Sequence, residues 1–183
     1  KTRNCRYQQA KYFQNPITLG ADIVTHSSTK YLGGHSDIIG GAVVTNRADL
    51  YESIKFYQNS AGAVPSPFDC FLIQRGIKTL EVRMKQHESN ATCVANFLQQ
   101  HHSVEKVFFP ALKEHPGYEV ANEQMRGQSG MVSFRLKGGL NEVNIFFNRI
   151  KLFLLAESLG GVESLACYPF TMTHGSIPEI EKN

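Results

Sequence analysis

The sequence predicts an α/β protein, and three observations carry that prediction. Ala21–His26 and Gly41–Thr45 read as two buried strands bracketing a loop that holds Gly33, Gly34, Gly40 and Gly41. Apolar residues between Ile73 and Leu98 recur at steps of three and four, the period of one helix face. Beyond them, strand and helix patterns alternate as far as Ala156. The 183 residues suffice for one ordinary domain, or for one and part of a second.

Composition narrows the class. Hydrophobic residues at 42% and charged residues at 19% suit a packed core and argue against wholesale disorder. The balance of 19 Lys+Arg against 16 Asp+Glu gives a net charge of +3, too little to expect nucleic acid as a partner. No apolar run approaches the roughly 18 residues of a membrane span. The first residues are polar, with neither an apolar signal core nor an initiating Met. A soluble protein, or a piece of one, is expected. Cys5, Cys70, Cys93 and Cys167 are far apart and form no C-x-x-C pair. Free thiols in a reducing cytosol are therefore expected. No metal site is expected, because the histidines lack zinc spacing and the adjacent His101 and His102 cannot share one helix face.

The elements follow in order. Asn46 is placed to cap a helix carrying Leu50, Ile54 and Tyr57 on one face. Two prolines and a glycine between Ser60 and Pro67 break the chain. Ser66-Pro67-Phe68-Asp69 then has the composition of a helix start: a capping hydroxyl, a proline at the first turn and an early acid. The stripe Ile73, Ile77, Leu80, Met84, His87, Ala91, Val94 and Leu98 predicts one helix of about seven turns at 3.6 residues each. A helix of that length suits a bridge between two domains, so the boundary is expected near Leu80, dividing residues 1–79 from 80–183. A strand over Val104–Phe109 and a helix around Tyr118–Met125 follow. Val132, Phe134 and Leu136 alternate with Ser133 and Arg135, as in a sheet with one wet face. Asn141 is placed to cap a helix bearing Val143, Phe146, Phe147 and Ile150, and Lys151–Ala156 reads as a last strand.

The segment with chemical content is Ala21–Gly41. Lys30 stands between a buried strand and a glycine loop, where lost hydration would favour the neutral amine that attacks carbonyls. Ser27 and Thr29 flank it at minus three and minus one. An amine beside two hydroxyls suits an aldehyde that carries a phosphate, and pyridoxal phosphate is such a molecule. A Walker loop is excluded, since G-x-x-x-x-G-K-[ST] does not occur.

Asn15-Pro16, Gly20-Ala21-Asp22-Ile23-Val24, His26-Ser27-Ser28-Thr29-Lys30-Tyr31 and Gly34-His35-Ser36-Asp37 together resemble the Cys/Met-metabolism family of pyridoxal-phosphate enzymes. Gln58-Asn59-Ser60, Gly62–Pro67, Arg75–Leu80, Val82-Arg83-Met84, Leu155–Leu165 and Met172-Thr173-His174 extend the resemblance. The likeness is strongest to its cystathionine γ-lyase and γ-synthase branch. The resemblance implies an aspartate-aminotransferase-like fold of type I, here the C-terminal part of the large domain plus most of the small α/β domain. It implies pyridoxal 5'-phosphate as cofactor and C–S bond cleavage or formation at the γ-carbon of sulfur amino acids. Lys30 resembles the lysine that binds the cofactor covalently and then moves protons on the substrate carbons. Ser27 and Thr29 resemble the side chains that hold its phosphate. Ser158 resembles the residue beside the substrate carboxylate, and Glu157 a position facing the substrate's distal end. Glu163 and Arg83 are read as solvated charges. A cytoplasmic homo-oligomer, dimer or tetramer, is implied for the full-length form.

The chain also departs from that family. Its members are longer, with a phosphate loop and a ring-stacking tyrosine upstream and a carboxylate-binding arginine downstream. By family spacing an aspartate stands 25 positions before Lys30, where this chain has Cys5. A thiol offers no comparable anion to a protonated ring nitrogen. The departures leave a competing class, a non-catalytic protein that keeps the fold for interaction only.

Overall fold

The computed structural model describes residues 12–172, and the backbone of one strand, β1 (Asn4–Tyr7), ahead of them. Strand β2 (Ile23–Ser27) lies at the centre of a three-stranded sheet, parallel to β1 and antiparallel to β3 (Gly41–Val44). The register sets Cys5 opposite Val24, and Ser27 opposite Gly41. The two strands expected on either side of the glycine loop are thus present. β1 was not foreseen, because its residues carry no alternation.

Helix α1 (Ala48–Ala61) begins one residue later than expected. Arg47, not Asn46, is the capping residue and makes no side-chain cap bond. Of the expected stripe, Leu50 and Ile54 are half-buried while Tyr57 is exposed. Helix α2 (Pro67–Ile77) starts as predicted: the Ser66 hydroxyl accepts the Asp69 N–H at 3.1 Å, with Pro67 in the first turn.

The single long helix is a correction: α2 ends at Ile77 and α3 runs over Leu80–Gln100. Between them the Lys78 and Thr79 N–H groups reach the Arg75 and Gly76 carbonyls, at 3.3 and 3.2 Å. These i−3 bonds tighten the turn and interrupt the α-helical ladder. A Cβ on Gly76 would lie 2.2 Å from the Gly33 carbonyl oxygen, so only glycine lets α2 meet the loop after Lys30. A three-residue step fits a tight turn as well as an α-helix, which is why the apolar stripe runs unbroken through the corner.

Helix α3 serves two cores. Met84, fully buried, packs with Phe13 and Tyr31 beneath the lysine-bearing loop, while Ala91 and Ala95 pack with Phe109 and Leu112. The second core is roofed by β4 (Val104–Phe108) and β5 (Ser133–Leu136), an antiparallel pair. Phe134 and Leu136 turn inward and Ser133 and Arg135 outward, as the alternation predicted. Helix α4 (Tyr118–Gln124) lies between these strands in sequence, and α5 (Leu140–Arg149) follows them. Phe146 of α5 meets Phe134 edge-on at 5.6 Å. Asn141 does not cap α5. Gly139 is the capping residue, and its N–H donates to the Glu142 carboxylate at 2.7 Å. The last predicted strand shrinks to β6 (Leu154–Leu155), because its parallel partner β7 (Leu165–Ala166) is itself two residues long. Among the described residues the second half therefore holds two separate ladders, not one continuous sheet.

His87 in α3 meets Tyr31 edge-on at 5.3 Å, and its Nε2 is buried without a hydrogen-bond partner among the described residues. Burial first, then the nearby Arg83 charge, holds its pKa below the usual 6.5. The unfolded chain therefore binds a proton at His87 that the folded chain refuses. Its contribution is complete above about pH 6.5 and is lost as pH falls toward the lower folded value. The urea midpoint should drop between about pH 7 and about pH 5, and His87→Leu should drop less. Equal drops would contradict this assignment.

Candidate functional site

The site is built on one turn. Residues Ser28–Leu32 form a π-type turn closed by the Gly33 N–H on the Ser28 carbonyl at 2.9 Å. Lys30 interrupts the helical dihedrals with φ −97° and ψ −129°. Its carbonyl accepts the Gly34 N–H at 2.8 Å. Tyr31 and Leu32 are buried behind the kink, whereas Lys30 stays half-buried at the surface. Burial pushes the Tyr31 hydroxyl pKa upward, opposed by its hydrogen bond to the Gly130 backbone. Among the described residues the Lys30 amine makes one side-chain hydrogen bond, in an exposed position.

That bond is to Ser158. Lys30 Nζ donates to Ser158 Oγ at 3.4 Å across 128 residues of sequence. The contact exists because residues 157–163 cross directly over the lysine turn. Gly160, at φ +80°, lies so close that a Cβ would stand 2.6 Å from Tyr31 N and 2.9 Å from Lys30 C. Beyond it the Ser36 hydroxyl donates to Glu163 Oε2 at 3.1 Å, and the Glu163 carboxylate stays exposed. Ser36 itself adopts φ +57°, a left-handed turn conformation that ordinary side chains seldom take.

The neighbouring hydroxyls divide by direction. Ser28 is fully buried and its Oγ has no hydrogen-bond partner among the described residues. Ser27 and Thr29, one residue to either side, are half-buried. Thr29 Oγ1 accepts the Gly40 N–H at 3.0 Å and lies 3.4 Å from the Gly40 carbonyl. At 3.4 Å that second bond, like the one from Lys30 Nζ to Ser158 Oγ, is long and weak. The Thr29 hydroxyl hydrogen can turn to an incoming phosphate while the Gly40 N–H stays paired. The Ser27 hydroxyl makes no hydrogen bond among the described residues. One primary amine beside two available hydroxyl donors is the donor set a phosphorylated aldehyde requires, so pyridoxal phosphate fits these residues.

Glu157 is exposed next to Ser158. Burial, and secondarily the Glu157 charge, pushes the Cys167 thiol pKa upward, which sets that carboxylate near β7. Arg83 is a second correction. It is half-buried rather than simply solvated: its guanidinium donates to the carbonyls of Tyr31 and Gly76, both at 2.8 Å, and to Thr79 Oγ1 at 3.1 Å. Burial lowers its pKa from the usual guanidinium value. Two functional contacts were missed in the sequence, the Gly160-Gly161 crossing and this arginine. The adjacent glycines directly after Leu159 were the available signal for the first; nothing local signalled the second. Thr173 and His174, the end of the last matching motif, lie outside the described residues. No group of His, Cys, Asp or Glu that could hold a metal ion occurs among the described residues. No helix among them is long and apolar enough to cross a membrane.

The chain is similar to known proteins over most of its length. It is 56% identical over 171 residues to a cystathionine gamma-lyase of Dictyostelium discoideum, covering 93% of this chain and 44% of that protein. It is 55% identical over 163 residues to a cystathionine gamma-synthase of Mycobacterium tuberculosis, covering 89% of this chain and 42% of that protein. A solved cystathionine gamma synthase from Xanthomonas oryzae pv. oryzae in complex with cystathionine matches with a TM-score of 0.95 at 42% identity. That match covers 98% of this chain and 46% of the other. The chain thus spans under half the length of these relatives. The profile of the family described as Cys/Met metabolism PLP-dependent enzymes matches residues 7–183. With a family match over nearly its whole length and relatives more than half identical, this chain belongs to the Cys/Met-metabolism pyridoxal-phosphate-dependent enzymes.

Proposed function

We propose that the protein is a pyridoxal-phosphate-dependent transsulfuration enzyme, a carbon–sulfur lyase or transferase acting at the γ-carbon of sulfur amino acids. One observation carries the reading: Lys30 Nζ and Ser158 Oγ meet at 3.4 Å in a chain over half identical to cystathionine γ-lyases and γ-synthases. When bound, the cofactor supplies a sink for the electron pair left as a substrate C–H bond breaks. The rest falls to the chain's own residues. The Lys30 amine holds the cofactor aldehyde at rest and, once freed, takes the α-proton as a general base. The Ser27 and Thr29 hydroxyls donate to the phosphate. Ser158 orients the substrate carboxylate beside Lys30, and Glu157 faces its distal end. We assign residues 1–79 to a large cofactor domain and 80–183 to a small α/β domain. We further infer a cytoplasmic homo-oligomer, a dimer or tetramer, taking a small amino-acid substrate. The exposed apolar side chains of Phe56, Tyr57, Phe68 and Phe71 support assembly.

The test is turnover by the purified protein in its full natural length. Release of keto acid and ammonia from cystathionine identifies a lyase, and capture of an incoming thiol identifies a synthase. Neither product, with the cofactor bound, would overturn the reading.

Cys5 offers a further check. The family match begins at residue 7, just past it, and its backbone stands beside Val24 on the strand next to β2. A carboxylate at this position would make a charge-assisted hydrogen bond to a protonated ring nitrogen, worth about 1.5–3 kcal/mol. Since 1.36 kcal/mol is tenfold in rate, Cys5→Asp should raise kcat about ten- to hundredfold. An unchanged kcat would show that Cys5 does not face the ring.

A further inference from the structure

We propose that Arg83 is a positioning residue for Lys30: its guanidinium clamps the backbone immediately after the lysine and thereby sets the direction of the amine. This rests on the role proposed for Lys30 and assigns a further residue to that site.

The kink at Lys30 creates a local problem. Once Lys30 leaves helical dihedrals, no regular ladder continues through the turn. The Ser28 carbonyl is taken by Gly33 N–H and the Lys30 carbonyl by Gly34 N–H. Tyr31 is itself buried, so its carbonyl needs a donor from elsewhere. Arg83 supplies it at 2.8 Å from 52 residues away.

The same guanidinium is fixed from its other side. It donates to the Gly76 carbonyl at 2.8 Å and to Thr79 Oγ1 at 3.1 Å, while the Thr79 hydroxyl donates to that Gly76 carbonyl at 3.1 Å. Gly76 and Thr79 belong to the corner between α2 and α3. Arg83 therefore ties that corner to the lysine turn through a planar, multiply bonded fork. The glycines leave room for it. A Cβ on Gly34, at φ +74°, would stand 2.1 Å from the Arg83 Nη1 atom. The glycine at this point of the loop is thus needed twice, for its left-handed backbone and for the space the guanidinium occupies.

A lysine could place a charge near these acceptors but not the rigid fork, so Arg83→Lys should recover only part of the function that Arg83→Met removes. Thr79→Val keeps the arginine and removes one of its holds. The experiment uses apo-protein of full natural length and pyridoxal phosphate as the probe. The rate of covalent uptake is followed by borohydride trapping and peptide mapping, and is normalised to the fraction folded. Arg83→Met should take up the probe at Lys30 about tenfold more slowly, with Arg83→Lys and Thr79→Val in between. In the loaded enzyme kcat should fall with KM moved much less. A purely structural role would lower the melting temperature but leave the uptake rate per folded molecule unchanged, and that result would overturn the inference. If Arg83→Met does not fold, Thr79→Val decides in the same way. Wild-type protein that takes up no probe at Lys30 would instead refute the proposed function.

Discussion

Lys30→Ala in protein of full natural length should lower keto-acid release by about 10²–10⁴-fold, the range a positioned acid–base group commonly contributes. The loss should appear in kcat, because in the proposed mechanism the amine moves a proton and does not grasp substrate. Lys30→Arg should fare no better, since a guanidinium stays charged at any working pH and can neither link an aldehyde nor accept a proton. Borohydride reduction of the wild type should leave the pyridoxyl group on the peptide containing Lys30. A label on Lys55 or Lys78, or a full rate in Lys30→Ala, would remove the basis for the site.

Gly160→Ala tests the arrangement at a position that touches no substrate in any reading of the sequence. The added methyl group meets two backbone atoms, Tyr31 N at 2.6 Å and Lys30 C at 2.9 Å, which cannot rotate away as a side-chain end could. The φ of +80° adds a backbone penalty of its own. Residues 157–163 should therefore lift from the lysine turn and carry Ser158 out of reach of the amine. A displacement of about 1 Å can cost a hundredfold in rate, and a loss of that size is expected in kcat/KM. Gly62→Ala is the control, because it too has a positive φ, 68°, but nothing lies within 4 Å of its added Cβ. That variant should lose some stability and little activity. Similar activity losses in the two variants would mean that the effect is backbone strain and not the crossing over Lys30.

Much of the fold was legible because its signals are local. Ser66 and Pro67 start α2 through contacts within one turn, and the alternation of β5 needs only its own residues to be read. The cap at Asn141 failed for a comparable reason: the competing bond from Gly139 to Glu142 spans only three residues, but it requires a backbone conformation that composition does not reveal. The break between α2 and α3 was invisible, since the apolar stripe runs on through it and the nearby approach of Gly76 to Gly33 joins segments far apart in the chain.

By itself, then, the sequence determined the family and most of the strands and helices, β1, β7 and the break between α2 and α3 excepted. These follow from residue identity at short spacing. The tertiary structure alone decided that Ser158 stands beside Lys30, that Glu163 holds the crossing segment through Ser36, and that Arg83 serves the lysine turn. Each of these depends on a buried carbonyl or a glycine gap in one segment being met by a group far along the chain. Such a match is created only when the backbones pack, because neither partner carries a local pattern that announces the other.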